Sequence, residues 1–264
     1  MGRIAWVGLV ALNGLTVGLL LIPLVTSLMV SLTPSEFVAL PTDRISFRWY
    51  EQFFGDFRWM SALTNTLVVA GLTMTISVPV GLLAAITFTR YHLRWRAAAN
   101  TAIMLPLFVP AVILGLASLT FHRMIGIWGT VLSLAIAHSL WAIPLVFVVL
   151  KGTLQGVDRS VEEAAAGLGA NPLRVFWEVT LPRVAPGVFV GVLFAFIISV
   201  NEFIMSLFLA TPRTRTLPVA IWPQVRYLLT PIVAAASSVI ILITLVLLGV
   251  AAKLVNIRRL VEYR

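Results

Sequence analysis

One acidic side chain lies deep in an apolar stretch: Glu202, within the otherwise uncharged run 184–210. An ionised carboxylate near the middle of a bilayer-crossing helix costs about 2.5–3.5 kcal/mol unless it meets water or a partner, so Glu202 is expected to face a cavity or a subunit interface. The chemistry open to it there is recognition of a cation or control of a polar path. The plainer role is a hydrogen-bonded strut between helices. Asn201, Glu202 and Phe203 form the candidate path segment, although Asn201 points to a different helix face, which also suits an interface. His138 offers an imidazole that titrates near neutral pH. No second titratable residue stands at helical spacing from it, so packing and hydrogen bonding are expected there in place of a proton relay. Asn13 and Asn65 are expected to join helices to one another.

A second constellation sits in residues 151–185, KGTLQGVDRSVEEAAAGLGANPLRVFWEVTLPRVA. Ser160 followed three residues later by Glu163 is a capping box, predicting a helix from Val161 with Glu162 and Glu163 set against its dipole. Ala164 to Ala166 extend that helix, and Gly167-Leu168-Gly169 ends it. Asn171 then caps a second helix with Pro172 at its first position, and Leu181-Pro182 is expected to stop it. Alanines let another protein approach closely, and a glycine corner fixes the angle between the helices, so the chemistry is docking. The plainer alternative is a structured linker in which Glu163 only completes its capping box.

Composition excludes most bond-making chemistry. With no Cys there is no disulfide, thiolate metal site or cysteine nucleophile. Lys151 and Lys253 are the only lysines and neither stands in Gly-Lys-Ser/Thr, so any ATP that powers this chain is bound by another subunit. No His, Asp or Ser constellation at one depth supports a membrane-embedded enzyme. The chain of 264 residues is 60% hydrophobic and 11% charged, with a mean hydropathy of +1.02, which a soluble surface does not tolerate. It reads as an all-α membrane protein. Its net charge of +9 therefore bears on orientation in the bilayer and not on nucleic acid.

The elements that must position these residues are six apolar intervals of spanning length: 5–30, 60–88, 97–121, 125–150, 184–210 and 228–252. The first exceeds a signal-peptide core and is expected to remain as an uncleaved span. Twelve basic residues fall with the two termini, the loop between the second and third spans and the 151–185 loop, against seven on the other side, which places both termini in the cytoplasm. The outer stretch 47–54 carries aromatics suited to an interfacial helix or a simple anchor. Prolines 23, 79, 106, 110 and 144 predict kinks. The chain shows no convincing internal repeat, unlike inverted-repeat secondary transporters, and only Glu202 is ionised within a span, where ion coupling would ask for more.

Glu163-Ala164-Ala165, three residues, Gly169, nine residues, then Val179-Thr180-Leu181-Pro182 resembles the EAA motif of binding-protein-dependent ABC transporter permeases, with Val179 where Ile is usual. Leu63-Thr-Asn-Thr-Leu67, Tyr91, Ser199-Val-Asn-Glu-Phe203, Thr216-Leu-Pro218 and Trp222 are similar to the spermidine/putrescine-type subgroup. Many of its members carry two adjacent acids where this chain has Asn201-Glu202. The resemblance implies a type I ABC importer permease fold of six transmembrane helices, in a bacterial inner membrane, that is not itself an enzyme. It divides the chain into a first helix and outer loop (1–59), a transmembrane domain (60–253) containing the coupling loop 151–185, and a cytoplasmic tail (254–264). It further implies a second permease subunit, two ATPase subunits that bind ATP and Mg, and an extracytoplasmic solute-binding protein. Glu163, Ala164, Ala165, Gly169, Val179, Leu181 and Pro182 would couple to the ATPase. The solute would be polyamine-like, with a phosphonate, an opine or another small solute as the alternative. Arg213, Arg215 and Arg226 would either contact the binding protein or simply solvate their loop.

Overall fold

The computed structural model describes residues 3–42 and 44–262; of residues 3–5, 7, 251 and 254–262 it describes only the backbone. Every regular element among them is helical. The first helices are α1 (Arg3–Val30), α2 (Arg48–Gly55), α3 (Phe57–Arg90) and α4 (Arg96–Met104), followed by a 3-10 turn (Leu105–Phe108), α5 (Ala111–Met124) and α6 (Val131–Gln155). Then come α7 (Ser160–Gly167), α8 (Pro172–Val175), a π turn (Phe176–Thr180), α9 (Leu181–Asn201), α10 (Ile204–Leu209), α11 (Leu217–Tyr227) and α12 (Ile232–Glu262).

Among the described residues, five helices are long and apolar enough to cross a membrane, and a sixth crossing requires counting α4 with α5, which meet at 101°. The third interval, expected over 97–121 with kinks at its prolines, is thus broken outright. Pro106 opens the 3-10 turn and Pro110 precedes α5, so two amides that would continue the α-helical ladder are missing within five residues. Trp141 Nε1 donates to the Pro106 carbonyl at 2.9 Å, beside the Val109 amide at 3.3 Å, and pins the bend to α6. The fourth span starts at Val131, not 125, because Thr130 caps it by accepting from the Ser133 amide at 3.1 Å. The fifth span, expected over 184–210, begins at Pro172 and stops at Asn201. The stretch 254–264, expected as a tail, continues α12 in its backbone as far as Glu262; its side chains and residues 263–264 lie outside the described residues.

The chain divides into two compact units. One comprises Met1–Met60 and Ala220–Ile243. In it α2 is a true amphipathic helix: Trp49 and Phe53 are buried, Trp49 Nε1 donates to the Thr33 carbonyl at 3.0 Å, and Tyr50 shares a 2.7 Å hydrogen bond with Ser31. An apolar groove of about 440 Å³ runs between Ile22, Pro23 and Thr26 of α1 and Val233 of α12. Asn13, expected to join helices, bonds the Leu9 carbonyl of its own helix.

The other unit comprises Ser61–Val219 and Thr244–Arg264 and is built around α6. Leu82, Ala85 and Phe88 of α3, Val146, Phe147 and Leu150 of α6, and Val184 and Ala195 of α9 form one buried cluster. Helices in lipid associate by close packing more than by hydrophobic exclusion, so small residues mark their contacts. At Gly187 a Cβ would run into the Thr153 side chain, and at Gly81 it would lie 2.7 Å from Val146 Cγ1. Asn65 does join segments here, donating to the Arg213 and Arg215 carbonyls at 2.9 and 3.0 Å.

Candidate functional site

The loop after α6 folds as a rigid corner, with two departures from its expected grammar. The Ser160–Glu163 capping box does not form. Asp158 takes the Ser160 amide at 2.9 Å instead, and that bond holds its carboxyl below the usual carboxylate range. The helix consequently begins at Ser160, and Glu163 is left to pair with Arg159 at 3.0 Å on the exposed surface. At the other end, Leu181-Pro182 does not stop the second helix. The π turn at 176–180 widens the ladder just before Pro182, which absorbs the missing amide and lets the chain continue as α9.

The corner itself follows the sequence. Gly169 adopts φ +90°, its amide bonds the Ala166 carbonyl at 2.9 Å, and the Ala170 amide bonds that of Ala165 at 3.1 Å, a complete Schellman closure. Asn171 Oδ1 accepts the Arg174 amide at 2.8 Å, and Pro172 opens α8. Glu163, Ala164 and Gly169 are exposed, Ala165 and Val179 are half-buried, Leu181 packs against the main core, and Pro182 is exposed. Leu168, Leu173 and Trp177 project from the same corner, 91%, 71% and 63% exposed.

Sequence reasoning assigned no special contact to the neighbour of the motif, Glu162. Arg90 Nε, at the end of α3, lies 2.8 Å from Glu162 Oε2, and its Nη2 donates to Oε1 at 3.0 Å. Thr180 Oγ1, at the end of the π turn, donates to the same Oε1 at 2.9 Å. The signal was present as two adjacent acids in a first turn and an arginine at the end of a span. Linear spacing could not pair them.

Asn201, Glu202 and Phe203 coincide with a break between α9 and α10. Glu202 has extended backbone and is 6% exposed. Its carboxylate turns onto its own chain, where Oε1 accepts the Met205 amide at 2.8 Å and so caps α10. That amide meets part of the cost of burying the acid. Asn201 is exposed, with Nδ2 donating to the Ile197 carbonyl at 2.7 Å, and Phe203 is half-buried.

The break is bridged by His138. Its Nδ1 is 2.9 Å from Ser199 Oγ, before the break, and its Nε2 is 2.9 Å from Ser206 Oγ, after it. Thr73 of α3 joins through Ser199 at 3.3 Å. His138 is thus packed and hydrogen-bonded, as its isolation in sequence suggested. The serines escaped notice because they lie on two helices, one on each side of the break.

The arrangement ties the two sides of the break together through one buried imidazole. No group of three or more metal-ligating side chains occurs among the described residues. A family model described as binding-protein-dependent transport system inner membrane component matches residues 77–258. The chain is 34% identical over 205 residues to the putrescine transport system permease protein PotI of Escherichia coli, covering 74% of this chain and 72% of that one. It is also 34% identical over 201 residues to a probable molybdenum ABC transporter permease protein of Haloferax volcanii, covering 73% of this chain and 71% of that one. A solved bacterial alginate ABC transporter, in complex with an alginate pentasaccharide-bound periplasmic protein, shares the fold with a TM-score of 0.73 at 18% identity, over 94% of this chain and 93% of that chain. The similarity to polyamine-type permeases seen in Leu63–Leu67 and Ser199–Phe203 is in keeping with the first of these relatives. With its matched transmembrane region, its EAA loop and its helical fold, the chain belongs to the binding-protein-dependent transport system inner membrane components, as a permease subunit of an ABC importer.

Proposed function

We propose that the chain forms half of a translocation path, beside a second permease subunit, and carries a polyamine-like solute inward across a bacterial inner membrane. Two ATPase subunits, which bind ATP and Mg, dock on the 151–185 loop from the cytoplasm. An extracytoplasmic solute-binding protein delivers solute at the opposite face, and both termini are cytoplasmic. ATP-driven closure of the ATPases moves the coupling loop and exchanges inward-facing for outward-facing states, which requires each ligand to bind the two states differently. The break at Asn201–Phe203 borders the path, with Asn201 presented to it and Glu202 shaping the backbone beside it. Interrupted helices are tolerated at membrane depth only where protein or a cavity receives the freed backbone groups.

The observation that carries this reading is the corner at 160–177, a capped and closed element that presents Leu168, Leu173 and Trp177 outward. Three large apolar side chains on a rigid polar loop form a contact surface. A Cβ at Gly169 would meet nothing within 4 Å, so a substitution there acts through the left-handed backbone and not through collision. Gly169→Leu is expected to insert normally while losing ATPase association and ATP-dependent uptake. Normal association and normal uptake would overturn the assignment. The solute is tested on the cognate binding protein by thermal shift with putrescine, spermidine, a phosphonate, an opine and molybdate. A polyamine is expected to give the largest shift, because of the relative that transports putrescine; molybdate is included because a relative of equal identity is named for molybdenum.

A further inference from the structure

We propose that Glu162 is the positioning residue that transmits movement of the coupling helix into the membrane-spanning part of the chain, an inference that rests on the reading above. Helix α7 buries no residue of its own. The nearby pairs Arg159–Glu163 and Arg174–Glu178 have side chains 58–65% exposed and each stays within one local segment, so they hold little and link nothing distant. The Glu162 contact differs in both respects. Its side chain and that of Arg90 are each 13% exposed, and its carboxylate binds two separate elements.

Those elements are the last residue of α3 and the last residue of the π turn, directly before α9. One carboxylate therefore joins the docking helix to two membrane helices. The ion pair, one charge-assisted hydrogen bond from Arg90 Nη2 and one from Thr180 resist separation of the three segments. A displaced α7 pulls on the Arg90 end of α3 and on the start of α9, whose far end is the break at Asn201. The tie also lines an open groove of about 440 Å³ with Ile86, Tyr91 and Phe176, so the helices around it have room to shift. Glu162 and Arg90 lie outside the EAA signature, and Thr180 occupies one of its unspecified positions. The tie is therefore a separate device from the docking surface.

The test uses the full complex with its partner permease, ATPases and binding protein in nanodiscs. The chain has no Cys, so Asn201→Cys provides its sole thiol. The labelling rate of that thiol by a maleimide is compared with and without ATP and vanadate, beside ATP hydrolysis by the same sample. With Glu162 present, ATP is expected to change the labelling rate. In Glu162→Gln that change is expected to fall roughly fivefold or more, the scale of a lost coupling between sites, while hydrolysis continues. Thr180→Val is expected to give a smaller loss, and the reversed pair Glu162→Arg with Arg90→Glu to recover much of the response. An undiminished ATP response in Glu162→Gln overturns the tie. So does a loss of response and hydrolysis in equal proportion without recovery in the reversed pair, since that marks a merely structural contact. No ATP response with Glu162 present would instead sink the parent reading of the 201–203 break as part of the moving path.

Discussion

Replacing Glu202 by Gln and by Leu separates its charge from its hydrogen bond. Gln keeps an oxygen for the Met205 amide, whereas Leu leaves that buried donor unmet at a cost of about 1–3 kcal/mol. We expect Glu202→Gln to assemble and to import at near the wild-type rate per complex, and Glu202→Leu to assemble poorly. The measurement is uptake in proteoliposomes normalised to intact complex. A selective loss of cation uptake in Glu202→Gln would show that the charge itself reads the solute. Sequence alone made Glu202 conspicuous because an acid in an apolar run has to be accounted for. It could not say that the acid meets backbone amides, since that depends on the helix ending one residue earlier. His138 was legible as a packed residue for the opposite reason: nothing ionisable stood at helical spacing from it.

At the scale of elements, the contact of α6 with α9 depends on Gly187. A Cβ there would collide with the side chain of Thr153, whose own Cβ and Cγ2 both lie 2.8 Å away. Gly187→Ala should therefore lower stability by about 1–3 kcal/mol, as overpacking does, read as the thermal midpoint in detergent. Thr153→Ala should recover only part of that loss, because the Thr153 Cβ remains in place. Full stability in Gly187→Ala alone would mean that the helices are not in this contact. The positions of most helices were legible from apolar length, and the corner at 167–172 from its Gly, Asn and Pro. The breaks were less so. Prolines at 106 and 110 announced a kink but not a 101° turn, and Pro182 suggested an end where a π turn allows continuation.

For the whole molecule, the arginine distribution makes a prediction that the helices alone do not. Reporter fusions at Arg94 and Arg174 should report the cytoplasm, and fusions at Ser35 and Arg215 the outer side. A reversed result at Arg174 would remove the proposed ATPase docking. The coupling surface was legible as a linear pattern because it lies within one short loop. The Glu162 tie was not, because its arginine is 72 residues away along the chain.

Helix α1 exposes every side chain from 8 to 26, with Pro23 inside it and no ionisable residue in that stretch. It asks nothing of the rest of the chain in order to be satisfied in hydrocarbon. During synthesis it can therefore leave the insertion machinery for lipid as soon as it emerges. Helix α6 has His138, Ser133 and Ser139 to satisfy, and two of the hydroxyls that His138 contacts come from segments made later. Biogenesis should accordingly be staged, with α1 anchoring the nascent chain early and α6 settling only after residues 199–206 have been made.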